Sequence, residues 1–125
     1  MKYYLPRRSF LMDKNYALLN VLVNLAYVDN NIDASEVAML KKYAKEKNIS
    51  YDVDKMIADV KDVDNEKIIS DYAKSIAFLT TTLSEDEKKD FIYDAVNLAN
   101  ADDEYAENEY ISIEALARNW NIYFG

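Results

Sequence analysis

The sequence predicts an all-α protein, a compact bundle of about six helices, and three observations lead to this prediction. The chain of 125 residues has one Gly and one Pro, whereas the turns between β-strands depend on those two residue types. Half of the residues are apolar, as in globular proteins with a core. Apolar positions recur with the period of an α-helix along most of the chain. We therefore expect one domain over residues 1–125.

The first helix is predicted to begin after Pro6, because proline disfavours the helical conformation of the residue before it. Ser9 and Asp13 are both suitable N-caps, and the helix should run to about Val28. Its apolar residues follow the helical period and predict a buried face. They are Leu11, Leu18, Leu19, Leu22, Val23, Leu25 and Ala26.

Two capping boxes mark further helix starts. A capping box pairs a short polar cap residue with a Glu three positions later, and each side chain accepts a hydrogen bond from the other residue's backbone N–H. Asp33 and Glu36 have this spacing before the second helix, and Ser84 and Glu87 have it before the fifth. The second helix should end at Asn48, because Asn tolerates the left-handed conformation that commonly closes a helix.

The remaining helices are placed by single caps and by apolar stripes. The third is expected after Asp52 and the fourth after Asp64. The fourth helix has apolar residues nearly all around it, so we expect it at the centre of the bundle. A sixth helix should follow the acidic stretch 102–107 and end near Trp120, a predicted core residue. The apolar tail 122–124 is expected to pack against the bundle.

One segment of the sequence occurs twice, with an offset of 73 residues. The first copy, 24–29, reads Asn-Leu-Ala-Tyr-Val-Asp, and the second, 97–102, reads Asn-Leu-Ala-Asn-Ala-Asp. The similarity continues to an Asn-Ile pair at the end of each copy, so the pseudo-repeats cover about 15–49 and 88–122. The sequence therefore predicts two equivalent hairpins, each made of a helix, an acidic turn and a second helix, around a central helix.

Two acidic residues in each repeat are the candidate site residues. Asp29 is followed seven residues later by Glu36, and Asp102 is followed at the same distance by Glu109. Each Asp continues the apolar stripe of the helix before it, near the helix C-terminus, where the helix dipole disfavours a carboxylate. Its place on the apolar side adds a desolvation cost. Both copies therefore require a compensating hydrogen-bond donor or a cation.

Two interpretations of these acids stay open. In the first, they serve the fold: the two Asp side chains accept backbone N–H groups in the turns, and Glu36 closes its capping box. In the second, Asp29, Glu36, Asp102 and Glu109 are candidate ligands of Ca²⁺ or Mg²⁺, because these ions prefer oxygen ligands. Either Asp29 and Glu36 of one hairpin, or Asp29 and Asp102 across a pseudo-twofold axis, would then lie close enough to hold the ion. Only the second interpretation requires the carboxylates to converge.

The composition argues against several functional classes. The chain has no Cys and no His, which excludes a thiol nucleophile, a Ser–His couple, a zinc site with such ligands and a disulfide. A net charge of −8 disfavours binding to nucleic acid or to anionic lipid. Arg7 and Arg8 interrupt the candidate signal peptide, and the apolar run 18–28 is too short to span a bilayer. We expect a cytoplasmic protein.

The repeated motif resembles that of a known family. An Asp seven residues before a Glu, after an apolar helix ending in Leu-Ala-x-x, is similar to the pattern of the TerB-like family, and the resemblance covers about residues 15–122. That family includes tellurite-resistance TerB proteins and a domain of a membrane-anchored DnaJ-type co-chaperone. Its members usually have Gly after the Asp, where this chain has Asn30 and Asp103. Asn and Asp are the non-Gly residues that best accept positive φ, so the turn geometry can be kept.

The resemblance implies a non-enzymatic, stress-associated adaptor or scaffold that works through protein partners and binds a divalent cation in its acidic turns. One alternative is a purely structural protein–protein interaction module without a metal. A third hypothesis is a hydrolase that uses two of the carboxylates as general acid and general base, which would require a pocket in which they face each other.

Overall fold

The computed structural model describes residues 13–27, 32–62, 64–100 and 107–123. These residues form six α-helices and contain no strand, which confirms the predicted all-α bundle. The helices are α1 (Lys14–Ala26), α2 (Ala34–Glu46), α3 (Val53–Asp62), α4 (Asn65–Thr82), α5 (Glu85–Ala99) and α6 (Glu107–Asn119). Within the described part of the chain, none of these helices has the length and apolar content needed to cross a membrane.

The predicted caps are present at the starts of the helices. Asp13 caps α1, because its Oδ1 accepts a hydrogen bond from the backbone N–H of Tyr16 at 2.7 Å. The capping boxes of α2 and α5 are both complete. Asp52 and Asp64 accept from the backbone N–H groups of Lys55 and Lys67 at 3.2 and 2.9 Å, so they cap α3 and α4. Ser9 and Val28 lie outside the described residues, and α1 ends at Ala26 with Tyr27 as its C-cap.

The central helix is α1, and the placement of α4 at the centre was wrong. Helix α1 packs against all five other helices, and nine of its residues are buried. In α4 the buried residues are Ser75 and Leu79, and Ile69 is 67% exposed. The physical reason lies in the charged residues, which are rarely buried unless paired. Helix α1 has one, Lys14, whereas α4 has Glu66, Lys67, Asp71 and Lys74.

The two hairpins end in the same way. Asn48 after α2 and Asn121 after α6 are separated by the repeat offset, and their φ angles are 57° and 59°. The next residue in each copy, Ile49 or Ile122, donates its backbone N–H to the carbonyl five residues earlier at 2.8 Å. This is the hydrogen bond of a Schellman motif, and it satisfies a carbonyl that the helix end leaves without an intrahelical donor.

The two hairpins also pack on each other reciprocally. Helix α2 packs against α5, and its repeat equivalent α6 packs against α1. Lys14 Nζ lies 2.5 Å from Glu87 Oε2, and these two residues are themselves separated by 73 positions. Equivalent residues of two repeats meet where a twofold axis passes between them. The hydrogen bond from Lys14 and the cap at Ser84 lower the pKa of the Glu87 carboxyl to about 2.

The C-terminal tail agrees only in part with the prediction. Ile122 is buried, whereas Tyr123 is 87% exposed. Phe124 lies outside the described residues. Ile122 is buried because the Schellman turn folds the residue after Asn121 back onto the helix. Tyr123 lies beyond that turn, so no local hydrogen bond directs it to the core.

Candidate functional site

The candidate cation site combines residues inside and outside the described structure. Asp29 and Asp102 belong to the segments 28–31 and 101–106, which lie outside the described residues. Glu36 and Glu109 are described, and each is the third residue of the helix that follows its turn. In both hairpins the motif therefore places its glutamate on the first turn of the second helix.

Glu36 takes part in the capping box of α2. Its backbone N–H donates to Asp33 Oδ1 at 2.9 Å, and its Oε1 accepts from the backbone N–H of Asp33 at 3.4 Å. Glu87 occupies the matching position in the capping box of α5, where its Oε1 accepts from the backbone N–H of Ser84 at 2.9 Å. Glu36 is only 4% exposed, whereas the Glu87 side chain is 44% exposed. A capping box therefore does not by itself require a buried glutamate.

Glu109 is also buried, with 5% of its surface exposed. Two glutamates separated by the repeat offset thus share one helix position and one degree of burial. Carboxylates are almost never buried without a partner, because the transfer of a charge out of water is costly. The partner can be a set of protein donors or a cation, and carboxylate oxygens are the ligands that Ca²⁺ and Mg²⁺ prefer.

Glu36 and Glu109 do not belong to a complete metal site formed by described residues alone. Among residues 13–27, 32–62, 64–100 and 107–123, no group of three or more Asp, Glu, His or Cys could hold a metal ion. A cation bound by this motif would therefore need further oxygen ligands from outside these ranges. Asp29 and Asp102, the other halves of the motif, are among the residues outside them.

A second polar site was not predicted from the sequence. A cleft of about 150 Å³ lies between α1, α3 and α4, and Tyr16, Asn20 and Asn24 line it from α1. The amide of the buried Asn20 donates from Nδ2 to the hydroxyl of Ser75 at 2.9 Å. The signal for this site was two Asn residues in an otherwise apolar run, since a buried amide requires hydrogen-bond partners.

The third surface feature is a groove between α4 and α6. Two adjoining clefts of about 270 and 300 Å³ share Tyr72 and Ser112. The first cleft is also lined by the end of α1, through Asn24, Leu25 and Tyr27, and apolar side chains of α6 line only the second. The polar lining residues of both clefts are uncharged. Ile69, which lines the groove, and Ile111, next to Ser112, are 67% and 56% exposed. Burial raises the pKa of the Tyr72 hydroxyl to about 12, so this residue is neutral in the physiological pH range.

The chain is similar to a known protein family over most of its length. The family model described as "Tellurite resistance protein TerB" matches residues 15–122. No curated protein and no solved structure matches the chain. The family match covers both repeats, all six helices and the four acids of the motif. The chain therefore belongs to the TerB family.

Proposed function

We propose that this protein is a non-enzymatic cytoplasmic adaptor of the TerB family whose paired acidic turns bind Ca²⁺ or Mg²⁺. The proposed ligands are Asp29, Glu36, Asp102 and Glu109. The observation that carries the proposal is the burial of Glu36 and Glu109, at 4% and 5% exposure, at the same position of the two repeats. A bound cation would offset the desolvation cost of these carboxylates and of the aspartates that precede them.

A specific observation favours the alternative, in which the acids serve only the fold. The complete capping box at Asp33 and Glu36 gives one of the four acids a structural role without any ligand. In that case the protein is an interaction module without a metal. The two functions differ in one measurable property, because only a cation site makes the stability depend on Ca²⁺ or Mg²⁺.

We predict that millimolar Ca²⁺ or Mg²⁺ stabilises the wild-type protein against thermal unfolding. A ligand that binds only the folded state contributes about 2.7 kcal/mol when its concentration is 100 times its dissociation constant. Glu36→Gln and Glu109→Gln should each remove most of this stabilisation, because Gln keeps the shape of the side chain but loses the charge. Melting curves with Ca²⁺, with Mg²⁺ and with chelator measure the effect.

Glu87→Gln is the matched control for this experiment. Glu87 has the same capping-box position as Glu36 but is only half-buried, so its variant should keep the full response to the cation. Asp29→Asn and Asp102→Asn should behave like the two buried glutamate variants. A wild-type melting temperature that does not change with either ion over the millimolar range would exclude the cation site. The interaction module without a metal would then be the remaining function.

The adaptor function requires a surface for a partner protein, and we propose the groove between α4 and α6. Its described lining is mostly apolar and contains no charged residue, in a chain of which 30% of residues are charged. Charged residues are depleted at the centres of protein interfaces. From Asn65 to Ile76 the groove follows three turns of α4. This length suits an amphipathic helix. The net charge of −8 favours a helix with basic residues beside its apolar face.

A model peptide can test this surface. An amphipathic helix of leucines and lysines should bind the wild-type protein, and Ile69→Lys should weaken binding roughly tenfold, since it adds a like charge and removes an exposed apolar contact. Tyr93→Lys is the control, because Tyr93 is 60% exposed on α5 and does not line the groove. Fluorescence anisotropy of the labelled peptide gives both affinities. Equal losses in the two variants would mean that the peptide binds by net charge alone.

A further inference from the structure

The cleft between α1, α3 and α4 contains a set of oxygen atoms that can accept hydrogen bonds. The Asn24 Nδ2 group donates to the Asn20 backbone carbonyl at 2.8 Å and to Asn20 Oδ1 at 3.2 Å. The side-chain oxygen of Asn24, Oδ1, receives no hydrogen bond from the described residues. The hydroxyl of Tyr16 is likewise without a hydrogen bond to the described part of the chain. Both groups line the cleft and are available to a ligand.

The charges around this cleft are mainly negative. Asp59 lines it from α3 and Asp71 lines it from α4, and Lys67 is the only cation among the described lining residues. Lys67 Nζ is already bound to Asp71 Oδ2 at 2.8 Å. Asp59 forms a longer ion pair, in which its Oδ2 lies 3.7 Å from Lys55 Nζ. Burial raises the pKa of the Tyr16 hydroxyl, and the negative charge of Asp71 raises it further, so the hydroxyl stays protonated.

The rest of the cleft is apolar and small. Met56 and Val60 of α3 and Ile68 of α4 complete its lining. At about 150 Å³ the cleft is smaller than the pockets that usually hold drug-sized ligands, so it suits a small organic group. A bare metal ion would leave this apolar lining without a contact. An organic cation with a short aliphatic chain can use both parts of the cleft.

We propose that the cleft between α1, α3 and α4 binds a primary ammonium group on a short aliphatic chain. The ammonium group donates to the side-chain oxygens of Asn24, Asp59 and Asp71, and the ring of Tyr16 lies beside it as an aromatic partner for the cation. The aliphatic chain packs on Met56, Val60 and Ile68. The described lining of this site contains none of the four acids of the repeated motif, and its test does not depend on the proposed adaptor function.

The probe for this proposal is n-butylammonium chloride, which has five non-hydrogen atoms in its cation. Titration of the isotope-labelled full chain should shift the amide NMR signals of α1, α3 and α4 until saturation. The neutral analogue 1-butanol has the same size but lacks the charge, and it should bind at least tenfold more weakly. Sodium chloride at the same concentration should not reproduce the shifts.

Two variants with opposite expected effects on the affinity for butylammonium make the test specific. Asp71→Asn should weaken butylammonium binding by about tenfold, because a hydrogen bond to a charged acceptor is lost. Lys67→Gln should tighten binding, because it removes the cation that competes for Asp71. The control is Asp54→Asn, since Asp54 is an exposed α3 carboxylate paired with Lys41 at 3.0 Å and does not line the cleft. It should leave the affinity unchanged.

The source of the ammonium group can be determined in the same titration. Butylammonium has the structure of a lysine side chain, so N-acetyl-lysine methylamide serves as a second probe. Equal affinity of the two probes would assign the cleft to a lysine of a protein partner, and weaker binding of the lysine derivative would assign it to a free amine. Equal affinity for butanol and butylammonium, or equal losses in Asp71→Asn and Asp54→Asn, would overturn the proposal.

Discussion

Trp120→Ala is expected to lower the free energy of unfolding by about 3–5 kcal/mol, the usual cost of removing a large buried aromatic side chain. Trp120 is 4% exposed and directly follows α6. Its ring lies 6.1 Å from that of Phe91 on α5, and its Nε1–H donates to Thr80 Oγ1 on α4 at 2.8 Å. One side chain thus connects three helices. Urea denaturation followed by far-ultraviolet circular dichroism measures the loss.

Trp120→Phe separates the two parts of this effect. It keeps an aromatic ring against Phe91 but removes the indole N–H, so the hydroxyl of Thr80 loses its donor. The hydrogen bond itself is expected to contribute about 1 kcal/mol. The phenylalanine ring is smaller than the indole ring, so the space left unfilled lowers the free energy of unfolding further. A loss below about 1 kcal/mol for Trp120→Ala would show that Trp120 is not a core residue.

The ends of the helices could be predicted from the sequence because they depend on residues three to five positions apart. Asp13, Asp33 and Ser84 each accept a backbone N–H of the turn that follows them, and the spacing alone identifies such caps. Asn48 and Asn121 adopt the left-handed conformation that Asn tolerates. The repeat offset then predicted that both hairpins would close in the same way.

The position of each helix in the bundle could not be predicted in this way. Periodicity shows which face of a helix is apolar, but the partner that covers the face is chosen by packing over the whole chain. Ile68 and Ile69 of α4 are equally apolar, yet Ile68 is half-buried against the core and Ile69 is exposed beside a groove. A count of charged residues would have distinguished α1 from α4 better than the count of apolar ones.

The candidate sites also combine features that could be predicted from the sequence with features that could not. The spacing of Glu36 and Glu109 was visible in the sequence, whereas their burial depends on the packing of α2 and α6 and was not. The cleft between α1, α3 and α4 forms only when the three helices come together. Asn20 and Asn24 mark its α1 wall in the sequence, but nothing local indicates that Asp59 and Asp71 complete it.

The central position of α1 leads to the second large effect. Leu19→Ala is expected to lower the free energy of unfolding by about 2–5 kcal/mol, because Leu19 is 0% exposed in the helix that all five others contact. The surrounding helices can only partly close the cavity, and the unfilled space adds to the lost transfer free energy. Chemical denaturation of the wild type and the variant under the same conditions gives the difference.

Ile69→Ala on α4 is the matched comparison for Leu19→Ala. It also removes apolar carbon atoms from a helix, but Ile69 is 67% exposed, so its loss should change the free energy of unfolding by no more than about 0.5 kcal/mol. If α4 were the centre of the bundle, the variant of α4 would lose more free energy of unfolding than the variant of α1. Similar losses at the two positions, or a larger loss for Ile69→Ala, would therefore contradict a bundle built around α1. A large loss confined to Leu19→Ala is the result expected for a core in which nine residues of α1 are buried.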